Sequence, residues 1–221
     1  MQIDWFPLWL SLEVAVVATA LSAVLGLWLA WLLANRTFPG KDILDAVTAL
    51  PLALPPTVLG YYLLTVIGRN GWIGRVWEAA TGSPLVFTVK AAVIAAMIHA
   101  IPLLVKSVRA ALESIDHDFE RAGRSLGASE WRIFWRISVP LARRPVAAAA
   151  ALAFARSLGD FGATLMIAGD IPGRTQTAAI AVFDAVESGN AVAARWMVLA
   201  ISAITILLVW VSNRLERRRL A

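Results

Sequence analysis

The sequence holds no cysteine among its 221 residues and only two histidines, His99 and His117. A disulfide framework and a thiolate metal site are thereby excluded, and two histidines so far apart offer little to metal catalysis. Charge is scarce as well, at 16% of residues against 59% hydrophobic ones, and the mean hydropathy is +0.71. A water-soluble globule would have no place for that much apolar surface, so the solvent for most of the chain is lipid. The nucleotide-binding pattern G-x-x-x-x-G-K-[ST] does not occur, so any ATP that drives this protein is bound by another subunit. Nor does the chain offer a nucleophile with its base or paired carboxylates, which argues against a membrane-embedded enzyme.

What the chain does have is a succession of long apolar runs. Residues 14–34 and 46–68 carry no formal charge, and each is long enough to cross roughly 30 Å of hydrocarbon at about 1.5 Å per residue. Residues 85–108, 146–168 and 196–213 also qualify, although the first of these contains Lys90 and His99 and the second Arg156 and Asp160. The expected fold is all-α, a polytopic membrane protein of about five transmembrane helices forming a single transmembrane domain over 1–221. Residues 1–13 contain no Lys or Arg, and the run that follows exceeds the apolar core of a secretory signal, so the first span is read as retained.

Basic residues set the topology, because Lys and Arg near membrane ends resist translocation. Two follow the first span (Arg36, Lys41), eight lie between 106 and 144, and four occupy the tail (Arg214, Arg217, Arg218, Arg219). The opposite side holds Arg69, Arg75, Arg174 and Arg195. This asymmetry places the N-terminus outside and the C-terminus in the cytoplasm, as an odd number of spans requires. The net charge of +5 is then a topology signal with an anionic-lipid contribution, and nucleic acid need not be invoked.

The connection at about 109–144 is too regular for a loop. Asp116, Asp118 and Glu120 suit the start of a short helix over 116–126, where the helix dipole favours negative charge. Gly127 then sits where a left-handed cap would stop it. Ser129 can cap a second helix carrying Trp131, Ile133, Phe134 and Trp135 among Arg132 and Arg136, ending before Pro140. Such short helices need a partner or a membrane surface to be stable. The plain reading is an amphipathic hairpin on lipid headgroups; the functional one is a docking element for a cytoplasmic protein, while a DNA-reading helix-turn-helix is disfavoured by its short length and its tethering between spans. Outside, 175–186 reads as a short helix, and the loop at 69–84, with Gly71, Gly74 and Gly82, is similar in kind.

Two segments within spans carry chemistry. Pro51, Pro55 and Pro56 lie within six residues of the second span, removing backbone donors and forcing a kink or break near its cytoplasmic end. It is either a simple bend or the wall of a gate, since broken helices are tolerated where they line a cavity. In the fourth span Arg156 and Asp160 stand four apart on one helix face, among Ser157, Gly159, Gly162, Ala163 and Thr164. They form either an internal pair that locks a helix interface or part of a gate in which Arg156 meets a passing anion. Glu13 and Lys90 are close enough to the outer ends to snorkel, and His99, preceding Pro102, is unassigned.

The helix pair resembles the cytoplasmic loop of permease subunits of binding-protein-dependent ABC importers, E-A-A, three residues, G, nine residues, I-x-L-P. The register here is Arg121-Ala122-Gly123, Gly127, and Ile137-Ser138-Val139-Pro140, with Glu120 one position ahead of the glutamate slot. Further stretches resemble the molybdate permease family over nearly the whole chain: TFPGK at 37–41, LPLALPPTVLGYYLL at 50–64, FARSLGDFGAT at 154–164 and IPGRT at 171–175. The resemblance implies that Glu120, Ala122, Gly123, Gly127 and Pro140 belong to the element that couples to an ATPase. Pro55, Pro56, Arg156, Ser157, Asp160, Gly162 and Thr164 would form the translocation path or gate. It further implies a homodimer of this subunit, an ATPase subunit dimer that uses ATP and Mg, and an extracytoplasmic binding protein that delivers molybdate or tungstate. No cofactor is expected on this chain itself. The competing readings are a sulfate or tungstate permease of the same class and, outside it, an autonomous channel or ion-coupled carrier.

Overall fold

The computed structural model describes residues 4–217; of the residues discussed above, Arg218 and Arg219 of the basic tail lie outside this range. Long apolar segments in lipid must satisfy their backbone groups internally, and the described chain does so with helices throughout. The first span is α1 (Phe6–Asn35), which starts earlier than its uncharged stretch because Pro7 fits the first turn of a helix. The second is divided into α2 (Lys41–Ala53) and α3 (Pro56–Ile67), bent by 118°. A short helix α4 (Trp72–Thr81) leads to the third span, α5 (Val89–Glu113), whose N-terminus is capped by Thr88 accepting from the Ala91 N–H. Beyond the basic loop come α8 (Val139–Leu158), α9 (Gly162–Ala168), the short helix α10 (Ala178–Glu187) and the last span α11 (Ala191–Arg217). Among the described residues four helices are long and apolar enough to cross a membrane, or five spans if the bent α2–α3 pair is one.

Alanine decides how the centre packs. Ala91, Ala92, Ala95, Ala96 and Ala100 on α5 are wholly buried, and such small side chains let helix backbones approach closely where no hydrophobic effect drives them together. Helix α1 runs parallel to α5 with Ser22 Oγ donating to the Met97 carbonyl at 3.2 Å. Gly26 lies so near Leu104 that an added Cβ would stand 3.0 Å from its Cβ. Helix α8 closes the other side of α5, and α11 lies against α8. By contrast α2 has no buried residue at all.

Three expectations are corrected. The span read over 146–168 is not one helix: it stops at Leu158, and Phe161 takes φ −124°, ψ −68° before α9 begins. Glycine at 159 weakens the helix there, and the Asp160 carboxylate within the break is met by Arg156 and Thr164. The second helix of the basic loop does not end before Pro140. A short α7 (Glu130–Ile133) passes through a π-turn (Phe134–Ser138) directly into α8. The Val139 N–H donates to the carbonyl of Phe134, five residues back, and this wider turn accommodates a proline that would clash in an α-helix. In the second span the break falls at Leu54–Pro55, well inside it rather than near its end, while Pro51 is absorbed within α2.

Helices α3 and α9 approach closely at Gly60. A Cβ on Gly60 would meet Met166 Cβ at 2.8 Å and the Ala163 backbone Cα at 3.1 Å, whereas one on Gly159 meets nothing nearer than 3.7 Å. Gly60→Val is therefore expected to overpack this contact at about 1–3 kcal/mol and to lower the aggregation-onset temperature of the detergent-solubilised protein by several degrees, with Gly159→Ala close to wild type in the same assay.

Candidate functional site

The two broken spans meet at their breaks. Pro55 caps α3 and Pro56 opens it, and a Cβ on Gly162, the first residue of α9, would lie 3.0 Å from Pro56 Cβ and 3.4 Å from the Thr57 nitrogen. The sequence motifs LPPT and GDFGAT, about a hundred residues apart, are thus one structural feature. Of the expected path residues, Pro55, Pro56, Asp160, Gly162 and Thr164 come together here, with Arg156 and Ser157 on the last turn of α8.

Asp160 lies within the break, side chain 1% exposed. Thr164 Oγ1 donates to its Oδ2 at 2.6 Å, and Arg156 Nη1 donates to its Oδ1 at 3.2 Å. The Arg156–Asp160 pair expected from the four-residue spacing is therefore made, although Asp160 has left the helix face that the spacing assumed. A third neighbour was not foreseen: His99 Nδ1 of α5 stands 2.9 Å from Asp160 Oδ1, with the ring 2% exposed. The ring orientation leaves both His99 nitrogens without a well-aligned hydrogen bond among the described residues. The contact is thus a close polar approach rather than an aligned hydrogen bond. Nothing in the sequence around His99 pairs it with Asp160; only the packing of α5 on α9 does. The Arg156 side chain remains 30% exposed, so a guanidinium with donors to spare faces an accessible region. Ser157 Oγ is buried without a hydrogen-bond partner among the described residues.

At the other end of α8, α6 (His117–Ser125) forms as the acidic start and its cap dictate, with Asp116 Oδ1 accepting from the Asp118 N–H at 2.9 Å. Gly127 takes φ +76° with open space about it, so the left-handed turn is there for backbone reasons. Ser129 caps α7 by accepting from the Arg132 N–H. Glu120, expected in the coupling element, turns inward: it is 7% exposed, and its Oε1 accepts from Ser138 Oγ of the π-turn at 3.0 Å. Arg124 reaches both Glu120, at 3.4 Å, and Glu130, at 2.7 Å. Gly123 is buried against this joint, where a Cβ would meet Ile137 Cδ1 at 3.0 Å and Ile133 Cγ1 at 3.2 Å. Ala122 and Gly127 are exposed, and Pro140 lies on the exposed side of the first turn of α8. The helix pair is one fastened unit, and its outward surface is formed by Ala122, Gly127 and their neighbours. Among the described residues no group of His, Asp and Glu could hold a metal ion.

A bundle of broken spans, with a glycine-turned helix pair fastened to one of them, has relatives. Residues 22–220 match the family described as binding-protein-dependent transport system inner membrane component. The chain belongs to this family. The molybdenum transport system permease protein ModB of Escherichia coli (strain K12) is 41% identical to this permease over 221 residues, covering 98% of this chain and 96% of that protein. ModB of Haemophilus influenzae is 42% identical, covering 95% and 93%. The sulfate transport system permease protein CysT of Escherichia coli (strain K12) is 34% identical, covering 92% of this permease and 73% of that protein. Among solved structures, an inward-facing form of the MetNI methionine ABC transporter aligns with TM-score 0.73 at 16% identity, covering 96% of this chain and 94% of that one. A bacterial alginate ABC transporter aligns with TM-score 0.72 at 13% identity, covering 99% and 80%. At those identities the likeness concerns the fold, that of the permeases of type I ABC importers.

Removing the Thr164 hydroxyl leaves a buried carboxylate one donor short, at a cost of about 1–3 kcal/mol. Thr164→Val is accordingly expected to lower the unfolding midpoint of the purified permease, and Thr164→Ser to retain most of it; equal stability of Thr164→Val and wild type would remove this bond from the account.

Proposed function

We propose that this permease carries molybdate, with tungstate as an alternative cargo, across the cytoplasmic membrane in an importer driven by ATP. The observation that carries the reading is the near full-length identity of 41–42% to ModB proteins, against 34% to a sulfate permease that it matches over less of that protein's length. ATP and Mg are used by a separate ATPase dimer, consistent with the lack of a nucleotide motif in this chain, and no cofactor is assigned to the permease itself. Two copies of the chain form the path, and an extracytoplasmic binding protein presents the anion. The N-terminus lies outside and the C-terminus inside, which puts the basic loop at about 109–144 on the ATPase side. The whole of 1–221 acts as one membrane domain.

In this reading α6 and the Gly127 turn dock on the ATPase. Glu120, Gly123 and Ser138 fasten them to the π-turn, so that a displacement of the docked helix reaches the break at Asp160 along a single helical rod. Arg156 meets the anion at the gate formed where Pro55 and Pro56 abut Gly162. Asp160 and Thr164 hold the break in shape, and Ser157 lies beside them on the path. ATP binding closes the ATPase dimer and turns the path outward; release of ADP and phosphate returns it inward.

The test is uptake of radiolabelled molybdate by cells lacking this gene, with and without its restoration, in excess sulfate. Uptake that depends on the gene and resists sulfate is expected; loss of the signal to sulfate would transfer the reading to sulfate. Arg156→Ala should reduce uptake to background with normal membrane insertion, and normal uptake by that variant would remove Arg156 from the path. Gly127→Trp should abolish co-purification of the ATPase. Transport by the chain alone in liposomes would instead favour an autonomous carrier.

A further inference from the structure

Between α1 and the start of the α7–α8 rod lies a groove of about 280 Å³ whose lining is almost entirely apolar. Trp28 and Trp31 of α1 form one wall, and Trp131, Phe134 and Trp135 the other. Trp31 packs on Phe134 with centroids 5.9 Å apart, and Trp131 meets Trp135 edge-on at 5.6 Å. Trp28, Trp131 and Trp135 remain 51%, 58% and 46% exposed, so these rings face outward from the bundle as well as into it. Nothing in the transport reading uses them.

The position of the groove identifies its occupant. It lies at the end of the bundle that bears the basic loop, where tryptophans favour the boundary between hydrocarbon and headgroups. Its rim carries more positive than negative charge: Glu130, which begins the same helix and lies within electrostatic reach of Arg36, is already held by Arg124 at 2.7 Å. The Arg36 guanidinium sits 5.5 Å above the Trp31 ring, and Arg132 and Arg136, exposed on the helix that carries Trp131 and Trp135, form no ion pair among the described residues. The lining on α1 runs from Val24 to Trp31, about 10 Å of helix, which suits a stretch of acyl chain better than the several turns of ridge that a packed helix needs. We propose that this groove is a binding site for an anionic phospholipid, its acyl chain among the tryptophans and its phosphate on Arg36, Arg132 and Arg136.

Each basic residue at a membrane surface favours an anionic lipid by about 1 kcal/mol, or about fivefold in affinity. The experiment is native mass spectrometry of the full-length permease with its ATPase, titrated with phosphatidylglycerol or phosphatidylethanolamine in detergent. Phosphatidylglycerol is expected to bind at concentrations at least fivefold lower, Arg36→Gln to narrow that gap about fivefold, and Trp28→Ala to weaken both lipids together. Equal binding of the two lipids by wild type would overturn the proposal, as would a Trp28→Ala variant that separates the subunits while keeping its lipid, since a protein neighbour would then cover the groove. Should the variants fail to fold, the wild type still decides: acyl-brominated phosphatidylglycerol must quench more tryptophan fluorescence than brominated phosphatidylethanolamine at equal mole fraction, and equal quenching sinks the idea.

Discussion

A carboxylate held away from water needs partners, and in this bundle Asp160 draws them from three directions. Thr164 lies one turn ahead in α9, Arg156 one turn behind in α8, and His99 across the interface on α5. Arg156 and Thr164 stand at the four-residue spacing that helices bring together, whereas His99 reaches the group only through the packing of α5 beside the break. The break at 159–161 also sets Gly162 against Pro56, where α3 packs on α9. Removing a partner from a buried charge costs far more than the contact itself contributes, which makes the cluster a constraint on the whole region rather than one interaction among many.

The same logic recurs at the other end of α8 in a milder form. Glu120 is buried and satisfied by Ser138, and it fastens α6 to the π-turn. The π-turn in turn lets Pro140 stand inside a continuous helix. Two buried acids thus mark the two ends of one helical element: Glu120 holds α6 on, and Asp160 lies where the rod stops. The glycines serve the same geometry from the backbone side, Gly123 by permitting close approach and Gly127 by adopting a left-handed turn.

Much of this was legible in the sequence because it rests on local rules. The capped start of α6, the turn at Gly127, the cap at Ser129 and the short helix α10 are all consequences of residues within a few positions of one another. The apolar runs gave the spans for the same reason. What eluded the sequence is what depends on contacts distant in the chain. His99 is unremarkable until α5 is set beside the Asp160 break, and Glu120 reads as a surface acid until the π-turn brings Ser138 to it. Pro140 misled because an ordinary helix cannot carry it, and a five-residue widening leaves no signature in hydropathy. The Arg156–Asp160 pair was anticipated correctly from spacing that the break then altered.

The uninterrupted rod from Glu130 to Leu158, 29 residues long, spans about 43 Å and has a bearing on how such proteins can be recombined. A chimera that exchanges docking elements between relatives has natural seams at Ser114–Asp116, ahead of α6, and at Gly127–Ser129, where the backbone is already out of the helix. A junction anywhere inside the rod joins two helical phases that must agree to within a fraction of a turn. A single residue gained or lost there turns everything beyond it by about 100° and presents a different face to Asp160.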